Sequence, residues 1–459
     1  MSTANVTRRS ALPLLAATVL ALPAGAQSIP STETSGAPPV RTLADAIRRA
    51  LEVHPSLDAA RASSAAAAAG IGSSRATRLP QLAVRGSTVR FQEPMLVAPL
   101  HRFDPSAIPD FDETLMQGSL GLEWALFDGG RRVGQVRQAR ALFGAAQEGV
   151  RSTEAGLIQR TADVFLSVLT LRELLRARVR HEVALETELD RARRTVEEGA
   201  APELDRLRAE AELASARAER EATDQQLALA VATLGHLLDL SPGALDPEGL
   251  RSPALPSPAA EGPPIDDGAV ADPPTVSAAR RTLAAAEARE GVARSAWLPS
   301  LSVVGGYDLF AGGSVSPVAE WRGGLQVSYP LFTGGARSSG VDASRAGVRE
   351  ARARVEEARE QAAMAVEAAR AQEMEARARM LALEAAVTRF TELARVERLA
   401  LDEGIGVQSD WLRAEAGLLR ARAGVAQARH QLVAARIAWA RAAGRLDSGR
   451  WTEILEEIP

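Results

Sequence analysis

Leu126-Phe127-Asp128-Gly129-Gly130 and Leu331-Phe332-Thr333-Gly334-Gly335 are one sentence written twice, 205 residues apart. Each closes an alternating apolar segment and opens a long run rich in Ala and Arg. The same spacing separates Glu198-Gly199 from Glu403-Gly404, and Asp205-Arg206-Leu207-Arg208-Ala209-Glu210 from Asp410-Trp411-Leu412-Arg413-Ala414-Glu415. A register held across so many positions is an internal duplication, and the repeated unit decides the fold.

Immediately before each elbow the sequence alternates with period two, as a strand with two unlike faces must. In Gln117 to Phe127, Leu120, Leu122, Trp124 and Leu126 fall on one face, with Gly121, Glu123 and Ala125 opposite. In Trp321 to Phe332, Trp321, Leu325, Val327, Tyr329 and Leu331 face away from Gly324, Gln326 and Ser328. Leu301, Val303, Tyr307 and Leu309 alternate with Ser302, Val304, Gly306 and Asp308, and a weaker segment covers 81–90. An apolar face with Trp or Tyr toward its ends suits a lipid-facing barrel strand, and a soluble sheet with one wet face would look alike; length favours the barrel, since 10 to 12 residues tilted near 45° cross about 25 Å. Four strands cannot close a barrel, because an open edge in lipid leaves backbone groups unpaired. Two, three or four copies of the chain would supply 8, 12 or 16 strands.

After each elbow the pattern becomes helical. The segment 131–196 contains no Pro and would reach about 100 Å as one helix. Val150, Leu157, Val164, Leu171 and Leu185 recur on a heptad, with Val168, Leu175, Leu189 and Val196 four places on and an interruption at Arg178 and Glu182. Such a stripe predicts coiled-coil packing. The turn at Gly199 to Pro202 reverses the chain, giving a helical hairpin over 131–240 and its counterpart over 336–445. Shorter helices, 42–78 and 274–297, precede the strands 81–90 and 117–127 in repeat one (27–240) and 300–309 and 321–332 in repeat two (268–445). A Pro-rich linker, 241–267, joins the repeats and 446–459 is a tail. Pro55 predicts a kink or split in the first helix. The Leu-Pro junctions at 80 and 299 lie 219 apart, so the first copy carries 14 more residues between its strands, read as an external loop from Phe91 to Thr114.

Composition bounds the chemistry. All 54 basic residues are Arg, so no P-loop lysine exists and any energy must come from a partner. Cys is absent, and a net charge of −4 argues against nucleic acid as a partner. The five His residues, at 54, 101, 181, 236 and 430, show no metal-ligand spacing, so neither an enzyme site nor a cofactor is expected. Arg8-Arg9, the apolar stretch Ala11 to Leu22 and Ala24-Gly25-Ala26 read as an export signal over 1–26, too short to anchor in a membrane.

The chain resembles the outer-membrane efflux proteins of the TolC family over essentially its whole length after that signal. The resemblance rests on LxxAIxxALxxxPxL at Leu43 to Leu57, the two Leu-Phe-x-Gly-Gly elbows, and Gly-x(5)-Asp-x-x-x-Ala at Gly199 and Gly404. It implies a mixed α and β membrane protein in which three duplicated protomers share a 12-stranded outer-membrane barrel, continuous with a helical barrel in the periplasm. It further implies a passive duct serving an inner-membrane RND or ABC transporter through a periplasmic adaptor. By the same resemblance Asp205 and Asp410 are gate or lumen candidates, and Glu198, Gly199, Glu403, Gly404 and Gly406 form adaptor-facing turns, with glycine expected there for positive φ. Leu120, Leu122, Trp124, Leu301, Val303, Leu325, Val327 and Tyr329 are expected to face lipid. The chain departs from the family at Val196 and Leu401, where an aromatic is common, and at Arg208 and Arg413, where an acid is. The rival reading is an exported, non-conducting coiled-coil scaffold or adhesin, and surface ion pairs or N-capping are the plainer reading of the two aspartates.

Overall fold

The computed structural model describes residues 40–101, 106, 108–200, 202–253, 272–403, 405–447, 449 and 451–452. The proposed signal segment, Gly404 and most of the linker and tail lie outside them. The first repeat comprises α1 (Leu43–Val53), α2 (Pro55–Ala76), β1 (Gln81–Leu96), β2 (Phe111–Phe127), α3 (Arg131–Glu197) and α4 (Glu203–Leu237). The second comprises α5 (Pro274–Ser295), β3 (Ser300–Gly312), β4 (Val318–Ser328), α6 (Ala336–Asp402) and α7 (Gln408–Ala442). Helices α2 and α5 have 22 residues each, α3 and α6 have 67, and α4 and α7 have 35.

The helix expected over 42–78 is two helices. Thr42 and Asp45 form a reciprocal capping box that starts α1. Pro55 lacks an N–H and takes the first position of α2, while His54 Nδ1 accepts from the Ser56 amide at 3.2 Å.

The four strands form one antiparallel sheet in chain order. Its register sets Leu82 opposite Leu122, Leu122 opposite Gly305, Trp124 opposite Val303, Val303 opposite Leu325, and Leu301 opposite Val327. Since directly opposed residues share a face, the apolar sets of all four strands lie on one side. The strand limits differ from those read in the sequence. Residues Phe91 to Leu96 and Phe111 to Thr114, read as loop, continue the first hairpin. Pro94 is accommodated because the ladder breaks register between Arg90 and Met95, where no strand N–H is required. Strand β4 stops at Ser328, so Tyr329, Leu331 and Phe332 lie beyond it; Pro330 cannot donate to a ladder.

Helix α3 is the spine. Its middle buries Ile158, Phe165 and Leu169 against Ile47 and Ala50 of α1, Leu234 of α4, and Val433 and Ile437 of α7. The start of the linker joins this core through Leu245 and Leu250, held by Arg172 Nη1, which donates to the Pro247 and Leu250 carbonyls at 2.8 Å each. A buried histidine ties α7 to the same layer: His430 Nδ1 lies 2.7 Å from Thr170 Oγ1, and Nε2 lies 3.4 Å from Ser252 Oγ. Thr170 already donates its proton to the Leu166 carbonyl, so the geometry suits a neutral imidazole that donates through Nδ1. Burial and the nearby Arg172 and Arg429 lower the His430 pKa to about 4.

Farther along α3 the apolar seam breaks where the heptad does. Arg178 pairs with Glu219, and Glu182 meets Arg217 at 3.2 Å and Arg220 at 2.8 Å, all between α3 and α4. Below this polar layer a second apolar cluster, Leu185, Leu189 and Ala192 against Ala209, Leu213 and Ala216, holds the hairpin together to its tip.

Candidate functional site

The helical turns end the longest elements of the molecule. At the end of α3 the Gly199 amide donates to Val196 O and the Ala200 amide to Thr195 O, both at 2.9 Å, a closure that needs a left-handed residue. Gly199 supplies it with φ +72°, and a Cβ there would meet nothing. The second turn closes differently. Ile405 and Gly406 amides both donate to Ala400 O, at 3.0 and 2.9 Å. Gly406 does not have positive φ, contrary to expectation. Glycine is needed there because a Cβ would lie 2.7 Å from Leu401 N and 2.8 Å from the Ala400 carbonyl carbon.

Asp205 and Asp410 are each the third residue of their helix, α4 and α7, where the helix's positive end favours an anion. Neither is an N-cap; those positions are Pro202 and Val407, without side-chain capping bonds. Asp410 accepts from Arg413 at 2.7 Å, while Asp205 and Arg208 are 3.7 Å apart, and all four side chains are about half exposed or more. Beside them Arg206 bridges Glu203 and Glu210, and its hydrogen bond holds the Glu203 carboxyl below the usual range. The Arg398 guanidinium stacks 5.1 Å from the Trp411 ring centre and reaches Asp402 at 3.3 Å, joining α6 to α7 near their turn. No sequence spacing signalled that contact. Ile405 is 84% exposed, and Val407, Leu204 and Leu207 are exposed as well, leaving both turns with apolar side chains in water.

The sheet is the second candidate. Leu120, Leu122, Trp124, Leu301, Val303, Leu325 and Val327 share one face by register, whereas Tyr329 lies just past the strand end. Leu82, Val84, Trp321, Leu325 and Val327 are all strongly exposed, forming an apolar patch of the kind that marks a membrane or protein contact. Strands β1 and β4 are edges. Among the described residues no helix is long and apolar enough to cross a membrane.

The elbows link sheet to helices. Gly129 and Gly130 have φ +66° and +86°, and Gly334 and Gly335 have +58° and +84°. Their surroundings differ. A Cβ at Gly129 would lie 2.8 Å from Leu298 Cβ and 2.9 Å from Ser295 O, whereas one at Gly334 would meet nothing within 4 Å.

The profile of a family described as "Outer membrane efflux protein" matches residues 46–239 and 267–445. Protein CyaE of Bordetella pertussis is 27% identical over 246 residues, which is 49% of this chain and 48% of CyaE, so the match spans about half of that relative. The Campylobacter jejuni CmeC outer membrane channel superposes with a TM-score of 0.75 at 17% identity, covering 91% of this chain and 90% of that one. The Vibrio cholerae outer membrane protein VceC gives 0.72 at 19% identity, covering 88% and 96%.

Proposed function

The chain belongs to the outer membrane efflux protein family, sits in the outer membrane with its helices extending into the periplasm, and on that footing we propose that three copies form one conducting duct. The observation that carries this reading is the sheet's own middle joint, which supplies the pattern for closing its edges. Strand β4 repeats β2 at an offset of 205, and β1 repeats β3 at 219. The two hairpins already obey these offsets, since Leu82 opposite Leu122 becomes Leu301 opposite Val327. Applied to the β2–β3 joint, the offsets set Leu325 of one copy opposite Thr88 of the next, Val327 opposite Gly86, and Tyr329 opposite Val84. Every such pair keeps the apolar residues on one face. Leu79 of the next copy would then reach Gly334 as Leu298 reaches Gly129.

Three copies give twelve strands and a closed wall, with lipid on the apolar side and water inside. Conduction is passive, because the chain has no nucleotide-binding loop. The exposed apolar side chains around Glu198, Gly199, Glu403, Gly404 and Gly406 meet a periplasmic adaptor that couples the duct to an inner-membrane RND or ABC transporter. Asp205 and Asp410 face the narrowed entrance, where rings of carboxylates favour cations. Single-channel recording of the detergent-extracted oligomer in a planar bilayer, with its mass measured alongside, tests the reading. Discrete conductance from a trimer is expected, with cation preference reduced in Asp410→Ala. A soluble oligomer without conductance would return the chain to the scaffold reading.

A further inference from the structure

Arg132 and Arg337 hold the same position in the two repeats, and they differ in what neutralises them. Arg132 is buried. Its Nε donates to Asp128 Oδ2 at 2.8 Å, its amide donates to the same oxygen at 3.2 Å, and Nη1 donates to Thr77 O at 3.2 Å. In the second repeat the position of Asp128 is Thr333. Arg337 Nε donates to Thr333 Oγ1 at 3.3 Å and Nη2 to Leu331 O at 3.2 Å. Nη1 is buried without an acceptor, and among the described residues no carboxylate forms an ion pair with Arg337. The guanidinium carbon instead lies 4.5 Å from the Trp297 ring centre and 5.8 Å from that of Tyr329.

A charge partly withdrawn from water needs a counter-charge, and the protein supplies one at the first elbow only. The surroundings say where the other comes from. Trp297 and Tyr329 are about half exposed in the protomer, and Leu331 and Phe332 more so; their counterparts Leu126 and Phe127, beside a joint that already has its neighbour, still keep 44% and 46% exposure, so an apolar and aromatic collar remains at the end of the sheet where α6 begins. Aromatic collars of this kind sit at headgroup depth. The copy that pairs with β4 brings no acid either: by the 219 offset its Arg75 and Arg78 stand where Arg294 and Trp297 stand at the first elbow, and residues 72–80 contain no carboxylate.

We propose that Arg337, caged by Trp297 and Tyr329, binds the phosphate of an anionic phospholipid headgroup in the periplasmic leaflet of the outer membrane. Nη1 is covered in the protomer, so the half-exposed rings of Trp297 and Tyr329 part to admit a phosphate oxygen; the guanidinium fork then matches phosphate geometry, and the rings cover the glycerol end of the lipid. This rests on the barrel reading above. An inorganic anion shares the chemistry but has no use for the collar.

The test is native mass spectrometry of the detergent-extracted oligomer titrated with phosphatidylglycerol, with phosphatidylcholine as the zwitterionic comparison. Arg337→Gln removes the cation. Thr333→Asp replaces the hydroxyl that accepts from Arg337 Nε by a carboxylate, rebuilding the Asp128–Arg132 pair, and so neutralises Arg337 while keeping the guanidinium in place. Both are expected to retain about fivefold less phosphatidylglycerol than the unaltered chain, with phosphatidylcholine retention unchanged. Equal retention in Thr333→Asp overturns the proposal, as does full displacement of the lipid by inorganic phosphate, which would make this a free-anion site. Vesicle flotation separates the two levels. If all three chains insert and retain lipid equally, only the Arg337 site fails; if the unaltered chain does not insert, the barrel reading falls and takes the site with it.

Discussion

Position 165 of the first repeat is Phe and its counterpart at 370 is Arg; position 169 is Leu and its counterpart at 374 is Met. Phe165 and Leu169 are completely buried in the core, whereas Met374 is 73% exposed and Arg370 lies near Glu367 at 3.5 Å. The two helices have the same length and leave the same kind of elbow, so the duplication preserved the backbone while the packing diverged. Helix α3 is covered by α1, α4, α7 and the linker start, and it buries large side chains. Helix α6 buries chiefly Val and Ala and turns Met364, Met374 and Leu381 outward. Helix α3 therefore sits at the centre of the main core, to which α7 of the second repeat also contributes, while α6 keeps a small cluster, Ala376 and Met380 against Ala428 and Leu432 of α7, and leaves other large apolar side chains, Met374 among them, exposed.

The contrast breaks most directly at its centre. Phe165→Ala is expected to destabilise by about 3 to 5 kcal/mol, read as a lowered denaturant midpoint of the detergent-solubilised chain. Met374→Ala should leave that midpoint unchanged and lower oligomer yield instead. Similar effects from both would mean that position 374 is packed within the protomer and that the contrast between the two helices fails there.

Next in size is a charge on the sheet. Leu325→Arg, on the apolar face, should cost about 2 to 4 kcal/mol of barrel assembly if it lies near mid-membrane. Leu331→Arg, six residues on and past the strand end, should be tolerated, because an arginine at the collar can reach water. Equal yields of heat-resistant oligomer from the two would remove the face assignment.

The buried imidazole of His430, on α7 of the second repeat, probes the layer that α7 shares with α3 of the first. His430 titrates at 6.5 when unfolded and at about 4 when folded, so both states are neutral above 6.5. As pH falls from 6.5 toward 4 the unfolded chain binds a proton that the folded chain refuses. Stability is therefore lost across that window, on the order of 2 kcal/mol by pH 5. His430→Gln should flatten this part of the stability profile. An unchanged slope would place the acid sensitivity elsewhere.

Much of this architecture was legible because the repeat spacing and the alternation reinforce each other; both elbows, both long hairpins and the apolar face could be placed from them. What misled was punctuation. Pro94 reads as a loop signal yet sits at a ladder irregularity, and Tyr329 continues the alternation although Pro330 ends the strand. At the turns, the pairing of Asp410 with Arg413 follows from a three-residue helical spacing. The Arg398–Trp411 stack and the Arg337 cage do not, since their partners come from different elements. The one signal for Arg337 was a mismatch between repeats, Asp128 against Thr333.

The smallest effect separates the two turns. Gly199 needs only its left-handed backbone, so Gly199→Ala should cost about 1 kcal/mol and Gly199→Asn distinctly less, because Asn tolerates that conformation. Gly406 is constrained by the backbone of Ala400 and Leu401, so a Cβ of any residue meets the same atoms and Asn offers no relief over Ala. Amide hydrogen exchange at the ends of α3 and α6 reads both. Rescue by Asn at 199 but not at 406 is expected. Rescue at both would mean that the second turn also wants positive φ, and that the two tips are closer copies than their hydrogen bonds indicate.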